Sequence, residues 1–455
     1  MPDTIAAIAT IQAPSAIGIV RLTGPDTRRI LDGVFAPANG RPMSAQTPRK
    51  LVFGRALDRS GGVIDEALAV LFPGPNSYTG EDCAEIHCHG SPVVLDEVLA
   101  AAFARGARQA RGGEFTQRAF LSGRMDLIQA ESVADLIDAE SAGAARNAVG
   151  QLQGRMSRSV GGIYDALMDV VSRFYAIVDY PDEEIEPLQQ AQIEQTLAES
   201  AERLDALLAT FSRGRLLKSG VPAVILGKPN AGKSSLLNAL LGYDRAIVTD
   251  IAGTTRDTVE EKVLVGSVLL RLCDTAGIRD AADTVERLGV ERAQQAAHRA
   301  ELALLVLDGS APLTREDEEA IAAARRARRM LVLVNKADLP QVLDTAALRV
   351  RFGEVIPLSA RSGAGVDALC RAVEELFAGG ETPRGELLTN ARQAESAQRA
   401  LDAVRRAEQA LRSGLSPDAV LTDAEEALEA LAEFSGKRVR DDLVATIFSR
   451  FCVGK

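Results

Sequence analysis

Short apolar runs separated by turn-forming residues dominate the chain up to about residue 118, and the pattern predicts strands over residues 4–10, 17–22, 50–57, 67–72 and 83–89. Between the last two, Pro73, Gly74, Pro75, Asn76 and Ser77 enforce a loop, because proline fixes its own φ while glycine and asparagine accept turn conformations. Ser91 followed by Pro92 reads as a cap and first helical residue, since proline in that place gives up no backbone hydrogen bond. This first segment, residues 1–118, reads as an α+β domain.

From about residue 127 to 212 the spacing becomes helical, with Val133, Leu136 and Ile137, then Leu167, Val170, Val171 and Phe174, recurring at three and four residues. An acidic stretch between Pro181 and Pro187 interrupts the helices as a solvated turn. Helical spacing returns at Ala391 and continues to residue 455. Between the two blocks, apolar strands at 223–226, 269–273, 302–307, 331–334 and 355–358 alternate with amphipathic segments, the pattern of βαβ units on a parallel sheet. Helix-rich sequence on both sides places this α/β domain, residues 219–379, as an insertion in a discontinuous helical domain made of 119–218 and 380–455. A length of 455 residues agrees with about three domains at roughly 150 residues each.

Composition narrows the class. With 46% hydrophobic and 25% charged residues the chain is of ordinary globular type. A formal net charge of -11 excludes a broad basic nucleic-acid face, and 4% aromatic residues without tryptophan argue against a base-stacking platform. Any nucleic-acid contact has to be local; a notable basic stretch is Arg105, Arg108, Arg111, Arg118 and Arg124, with Glu114 the single acid between them. Five cysteines, an odd number without a Cys-x-x-Cys pair, fit a reducing cytoplasmic compartment. No Lys or Arg precedes residue 21 and no apolar run has the length of a membrane span, so a soluble, unexported protein is expected.

Gly227-Lys228-Pro229-Asn230-Ala231-Gly232-Lys233-Ser234 directly follows the strand at 223–226 and fits the phosphate-binding loop pattern in its strand-to-helix setting. Its glycines let backbone N–H groups converge on phosphate, Lys233 neutralises phosphate charge, and Ser234 is placed to ligate Mg²⁺. Asp274-Thr275-Ala276-Gly277 ends the next apolar strand, setting an acid near the metal and an amide near the γ-phosphate. After a later strand comes Asn335-Lys336-Ala337-Asp338, where Asp338 can accept from both N1–H and the 2-amino group of guanine. Adenine offers neither donor, so a GTP site is read. Ser359-Ala360-Arg361 supplies a loop beneath the base. Ile278 stands where Ras-like enzymes carry the Gln that orients the attacking water. Asp280, Asp283 and Glu286 are the carboxylates on hand to replace it, and spacing does not choose among them.

Two further groups stand outside these motifs. Cys83, Glu85, His87 and His89 share one strand face; His-x-His can chelate a metal, although a polar face lining a pocket is the simpler reading. Cys452, near the end of the chain, is a candidate functional thiol, with packing as a small hydrophobe the plainer account.

Taken together these residues resemble the bacterial tRNA modification GTPases of the MnmE (TrmE) family over essentially the whole chain. The marks are Gly18-Ile19-Val20-Arg21, the run from Pro73 through Tyr78 to Asp82, Gly113-Glu114-Phe115, Ala130-Glu131-Ser132-Val133, Asp250-Ile251-Ala252-Gly253-Thr254-Thr255-Arg256-Asp257 and the terminal Cys452-Val453-Gly454-Lys455. The resemblance implies a homodimer with a folate-binding and dimerising N-terminal domain, a helical domain and an inserted P-loop GTPase domain with a Ras-like sheet. It implies a flavin-dependent partner, MnmG (GidA), in a heterotetramer or larger complex. With it, a carboxymethylaminomethyl-type group is placed on C5 of the wobble uridine of certain tRNAs, and a 5-formyl- or methylene-tetrahydrofolate supplies the one-carbon unit.

By the same resemblance Arg21, Glu85, Arg124 and Lys455 contact folate, Arg124 standing where the family more often has Lys. Asn230, Thr249, Ile251 and Thr254 hold K⁺, which offsets charge developing during phosphoryl transfer. Thr255 joins Ser234 on Mg²⁺, Ser235 and Thr249 join the GTP contacts, and Glu286 orients the attacking water. Two other classes compete: a regulatory GTPase of ribosome assembly, for which no basic Gly-x-x-Gly RNA-binding module is apparent, and a folate enzyme gated by GTP.

Overall fold

The computed structural model describes residues 3–179, 187–243, 261–273, 294–377, 385–437, 447–448, 451, 453 and 454. The chain divides into two compact units, Met1–Ala134 with Gln151–Leu204 and Glu395–Lys455, and Asp135–Gly150 with Asp205–Ala394.

In the first unit the strands are β1 (Ile5–Ile8), β2 (Ser15–Thr23), β3 (Phe35–Pro37), β4 (Val52–Leu57), β5 (Val63–Phe72), β6 (Cys83–Gly90) and β7 (Arg108–Gln109). They form one sheet in the order β3-β4-β5-β6-β2-β1-β7, antiparallel except for β1 against β7. Strand alternation decides the faces. Val20, Leu22, Ala69, Leu71, Ala84 and Ile86 point to one side and are sealed by Ile30, Leu31, Leu95 and Val98 from helices Thr27–Val34 and Pro92–Ala104. Arg21, Glu85 and His87 therefore emerge on the other face. Strands β3 and β7 escape the hydrophobic pattern because two or three residues carry no period. Ser91 precedes helix Pro92–Ala104 as expected, but its side chain makes no cap hydrogen bond, and the Leu95 amide reaches the Ser91 carbonyl instead. The same unit holds helix Arg155–Asp179, which packs against helix Pro417–Ser435.

The arginine-rich stretch 105–124 is drawn into internal contacts, although Arg108, Arg111 and Arg124 stay exposed. Arg118, 12% exposed, binds Asp3 at 2.7 Å, Glu81 at 3.1 Å and Glu114 at 3.3 Å, while Arg108 holds both oxygens of Glu114. Arg105 donates to the carbonyls of Ala101 and Asp58. The cause is Glu114, whose side chain is 4% exposed and requires compensation.

Burial alone would raise the Glu114 carboxyl, yet hydrogen bonds from Arg108, the Arg111 amide and Arg118 bring it down to about 2. A carboxyl depressed on folding stabilises the protein above its unfolded value of 4.5, and that contribution is lost as pH falls through the folded value of about 2. The shift corresponds to about 3 kcal/mol. Glu114→Gln is therefore expected to be less stable than wild type at pH 7, with the gap closing between about pH 5 and pH 2. Denaturant midpoints measured across that range check it; a gap independent of pH contradicts it.

The second unit contains β8 (Val221–Leu226), β9 (Glu261–Val265), β10 (Val268–Leu272), β11 (Leu302–Asp308), β12 (Arg329–Asn335) and β13 (Val355–Pro357), ordered β13-β12-β11-β8-β10-β9. Both faces are covered, so the strands read as unbroken Leu, Val and Ile. Ala223, Ile225, Leu304, Val306 and Leu333 enter one core, and Val224, Leu226, Leu305, Leu307 and Val334 the other. The hydrophobic pattern does not reveal β9, which pairs with β10 antiparallel and adds a hairpin at the edge of the predicted parallel set, where β10 lies parallel to β8. Most of the predicted solvated turn at 181–187 lies outside the described residues. Among the described residues no helix is long and apolar enough to cross a membrane.

Candidate functional sites

Parallel β8, β12 and β13 deliver three loops to the same end of their sheet. The loop after β8 turns through Asn230 at φ 60° and Gly232 at φ 100° into helix Lys233–Tyr243. A Cβ on Gly232 would stand 2.1 Å from Asn335 Nδ2, so glycine is demanded by both backbone and neighbour. Asn335, buried at the end of β12, ties the loops together: its Nδ2 donates to the Ala231 carbonyl at 2.8 Å and its Oδ1 accepts from the Ala360 amide at 2.9 Å. The buried Asn of the guanine motif is thus the clasp that sets the phosphate loop and the base loop in register.

Lys233 turns its ammonium back onto the carbonyls of Gly227 at 2.9 Å and Lys228 at 2.8 Å, and burial lowers its pKa. A half-buried cation that meets only neutral oxygens among the described residues is matched to an incoming anion. Asp338 is exposed at the rim, its carboxyl held below the usual range chiefly by a hydrogen bond from Ser359, so it is poised as an ionised acceptor. Ser234, Ser235 and Arg361 are exposed around the same loops. Sequence spacing gave no hint of two supporting pairs, Lys228 with the buried Asp317 at 2.8 Å and Lys336 with Asp308 at 2.6 Å, whose partners lie far along the chain. Thr249, Ile251, Thr254, Thr255, Asp274, Thr275, Ala276, Gly277 and Glu286 lie outside the described residues, as do Ile278, Asp280 and Asp283.

The first unit holds a second cluster. Cross-strand register sets Arg21 on β2 opposite Glu85 on β6. Arg21 Nε and Nη2 donate to Glu85 Oε1 at 3.0 and 2.8 Å, and Nη1 donates to the Gly454 carbonyl at 3.3 Å. Its guanidinium lies over the rings of Tyr78, at 5.6 Å, and Phe115, at 5.8 Å. Glu85 Oε2 is met by His87 Nε2 at 3.1 Å. Arg124 Nε donates to the Ser77 carbonyl at 3.1 Å, one residue from Tyr78.

The end of the chain reaches this place because Phe448 and Phe451 pack with Leu127, Ala130 and Val133 and Val453 bridges to Gly112. Gly454, at φ 97°, has no space for a Cβ, which would stand 2.4 Å from the Ile8 carbonyl. Lys455 and Cys452 lie outside the described residues. Arg21, paired with Glu85, therefore meets the segment that includes Gly454, while Arg124 is tied to the loop of Ser77 and Tyr78. Tyr78, Phe115 and His87 are members the folate assignment did not include, although Tyr78 and Phe115 stood in motifs already singled out and His87 on the polar strand face read as lining a pocket.

A metal reading of the β6 face finds no support. His87 is engaged with Glu85 and His89 with Asp65 at 2.8 Å, and the described residues hold no group of three or more His, Cys, Asp or Glu arranged for a metal. Burial pushes the Cys83 and Cys88 thiols up to about 12, leaving both as inert packing.

Comparison with known proteins bears on both units. The family model described as MnmE helical domain matches residues 127–452, and the one described as GTP-binding protein TrmE N-terminus matches residues 4–124. A tRNA modification GTPase MnmE of Roseiflexus sp. (strain RS-1) is 45% identical, covering 100% of this chain and 99% of its own. That of Chloroflexus aurantiacus is 43% identical with 100% of both chains covered, and that of Symbiobacterium thermophilum 42% identical, covering 100% of this chain and 99% of its own. Among solved structures, the G domain of the T. maritima FeoB iron transporter matches 35% of this chain at 21% identity and a TM-score of 0.27, too slight a likeness to decide anything.

Proposed function

This chain belongs to the MnmE family of tRNA modification GTPases, and on that premise we propose how its two clusters divide the work. It is a GTPase acting in tRNA modification. The finer reading is a potassium-dependent GTPase that works in the cytoplasm as a homodimer with a flavin-dependent partner of the MnmG type. It acts on C5 of the wobble uridine of certain tRNAs with a tetrahydrofolate one-carbon unit. What carries the reading is the coexistence of a guanine-nucleotide cradle and a separate guanidinium–carboxylate–aromatic cluster in one chain. A regulatory GTPase of ribosome assembly has no use for the second, and a folate enzyme merely gated by GTP leaves the tRNA-modifying family unexplained.

The residues suit the groups assigned to them. Lys233 awaits an anion, and Ser234 and Ser235 stand exposed at the start of the helix where a Mg²⁺-bound phosphate would lie. Asn230 is exposed at a left-handed turn beside the phosphate loop, a place from which its side-chain oxygen can serve K⁺; that ion, when bound, offsets negative charge developing on the phosphates. Arg21 and Glu85, each 17% exposed and flanked by Tyr78, offer an aromatic surface with a donor and an acceptor, which matches a pterin ring with its amino and carbonyl groups. A folate bound there supplies the one-carbon unit, while Arg124 stands by for an anionic or carbonyl oxygen. The homodimer is supported by the open sheet face, where Phe53 and Leu68 sit opposite each other and remain 54% and 37% exposed.

Mass spectrometry of tRNA nucleosides from a deletion strain is the deciding experiment. Loss of the wobble modification, restored by the wild-type gene, is expected; an unchanged nucleoside profile rejects the reading. In the purified protein, exchanging K⁺ for Na⁺ is expected to slow GTP hydrolysis by about tenfold or more. Equal rates in the two salts would remove Asn230 from its assigned role.

A further inference from the structure

A chain of net charge -11 has to meet RNA phosphate with a local surface, and the arginines of 105–124 already have internal partners, an acid for Arg108, Arg111 and Arg118 and a carbonyl for Arg105 and Arg124. The sequence holds one other dense run, Arg325-Arg326-Ala327-Arg328-Arg329. In the fold it leaves helix Arg315–Ala324 and enters β12, while helix Thr345–Phe352 brings Arg349 and Arg351 up just ahead of β13. The two groups meet at Phe352, whose ring lies under Arg325 at 5.8 Å and under Arg351 at 4.9 Å. All six arginines are exposed. Glu318 takes Arg351 at 2.6 Å and Glu301 stands 3.5 Å from Arg328, but Arg326 and Arg349 have no ion-pair partner among the described residues.

Strand polarity fixes where this surface lies. The nucleotide loops follow the C-terminal ends of β8, β12 and β13, whereas the arginines precede β12 and β13. Arg329 and Asn335 are the two ends of the seven-residue β12, six steps apart, about 20 Å at ~3.3 Å per residue. Helix-end electrostatics explains the last-turn Arg349 and Arg351 and the capping Arg325, but not Arg326, Arg328 and Arg329. We propose that this arginine surface, at the end of the sheet away from GTP, docks the phosphate backbone of the RNA substrate, an inference that rests on the tRNA-modification reading. Guanidinium forks suit phosphate oxygens, and the aromatic rings at hand are already stacked by guanidinium groups, Phe352 by Arg325 and Arg351 and Phe377 by Arg329, so contact falls on the backbone rather than on the bases.

The test uses the full-length protein, an unmodified tRNA transcript and fluorescence anisotropy at several salt concentrations. The triple variant Arg326→Glu, Arg328→Glu, Arg349→Glu is expected to lose at least about tenfold in tRNA affinity and to show a salt dependence shallower by about 2 to 3 in log–log slope. GTP affinity and tRNA-free GTP hydrolysis should stay at wild-type values, and the matching Lys variant should stay within about threefold of wild-type tRNA affinity. Wild-type tRNA affinity and slope in the Glu variant overturn the proposal, as does a Lys variant that falls as far as the Glu variant. Unchanged tRNA binding with lost binding of the flavin-dependent partner overturns it too, in favour of an acidic protein surface. A deletion strain that keeps its wobble modification defeats the functional reading instead, however the variants behave.

Discussion

Replacing Asp338 by Asn is expected to weaken GTP binding by a factor on the order of 10³ or more and to create binding of xanthosine triphosphate. The carboxylate is kept ionised by Ser359, and it accepts twice from guanine, at N1–H and at the 2-amino group. An asparagine amide turns one of those acceptors into a donor, so an N–H faces an N–H and a desolvated group goes unmatched. Xanthine, with an oxygen in place of the 2-amino group, accepts that donor. Titration of both nucleotides, with hydrolysis of each followed by phosphate release, checks the switch. Undiminished GTP affinity in Asp338→Asn would falsify the guanine assignment, and because Asn335 rather than Asp338 clasps the loops, the variant should keep its fold.

Arg21→Ala is expected to abolish tetrahydrofolate binding, by about 30-fold to 10³-fold, while GTP affinity is unchanged. The guanidinium is the hub of its cluster: it neutralises Glu85, reaches the Gly454 carbonyl and lies over two rings. Removing it leaves a carboxylate that is 17% exposed without its cation and takes away one fastening of the chain's end. Equilibrium dialysis with a tetrahydrofolate separates this from a general loss of fold, since the nucleotide site belongs to the other compact unit. Normal folate binding in the variant would move the site elsewhere.

Legibility differed sharply between the two sites. In the GTPase domain the described loops at Gly227 to Ser234 and Asn335 to Asp338 each leave the end of a strand, so a local pattern there already contains its own geometry. Nothing local pairs Lys228 with Asp317 or lets Asn335 touch Ala231; those contacts join residues many tens of positions apart. In the first domain the balance is reversed. Arg21, Glu85 and Arg124 were assigned through family likeness, and only the register of β2 against β6 explains why Arg21 and Glu85 face each other. The basic stretch 105–124 shows the hazard of reading charge along a line. Its arginines look available in sequence, yet Asp3 and Glu81, remote from them in the chain, close around Arg118.

By itself the sequence determined the order of domains, the parallel strands of the inserted sheet and the guanine-nucleotide chemistry, because all three rest on hydrophobic period and short motifs within a single loop. Tertiary structure alone decided which arginines face solvent, where the terminal Gly454 docks, and that the sheet edge at β9 and β10 is an antiparallel hairpin. The physical reason is common to all of these. Pairing and burial depend on which distant segment arrives beside a residue, and no periodicity along the chain records that arrival.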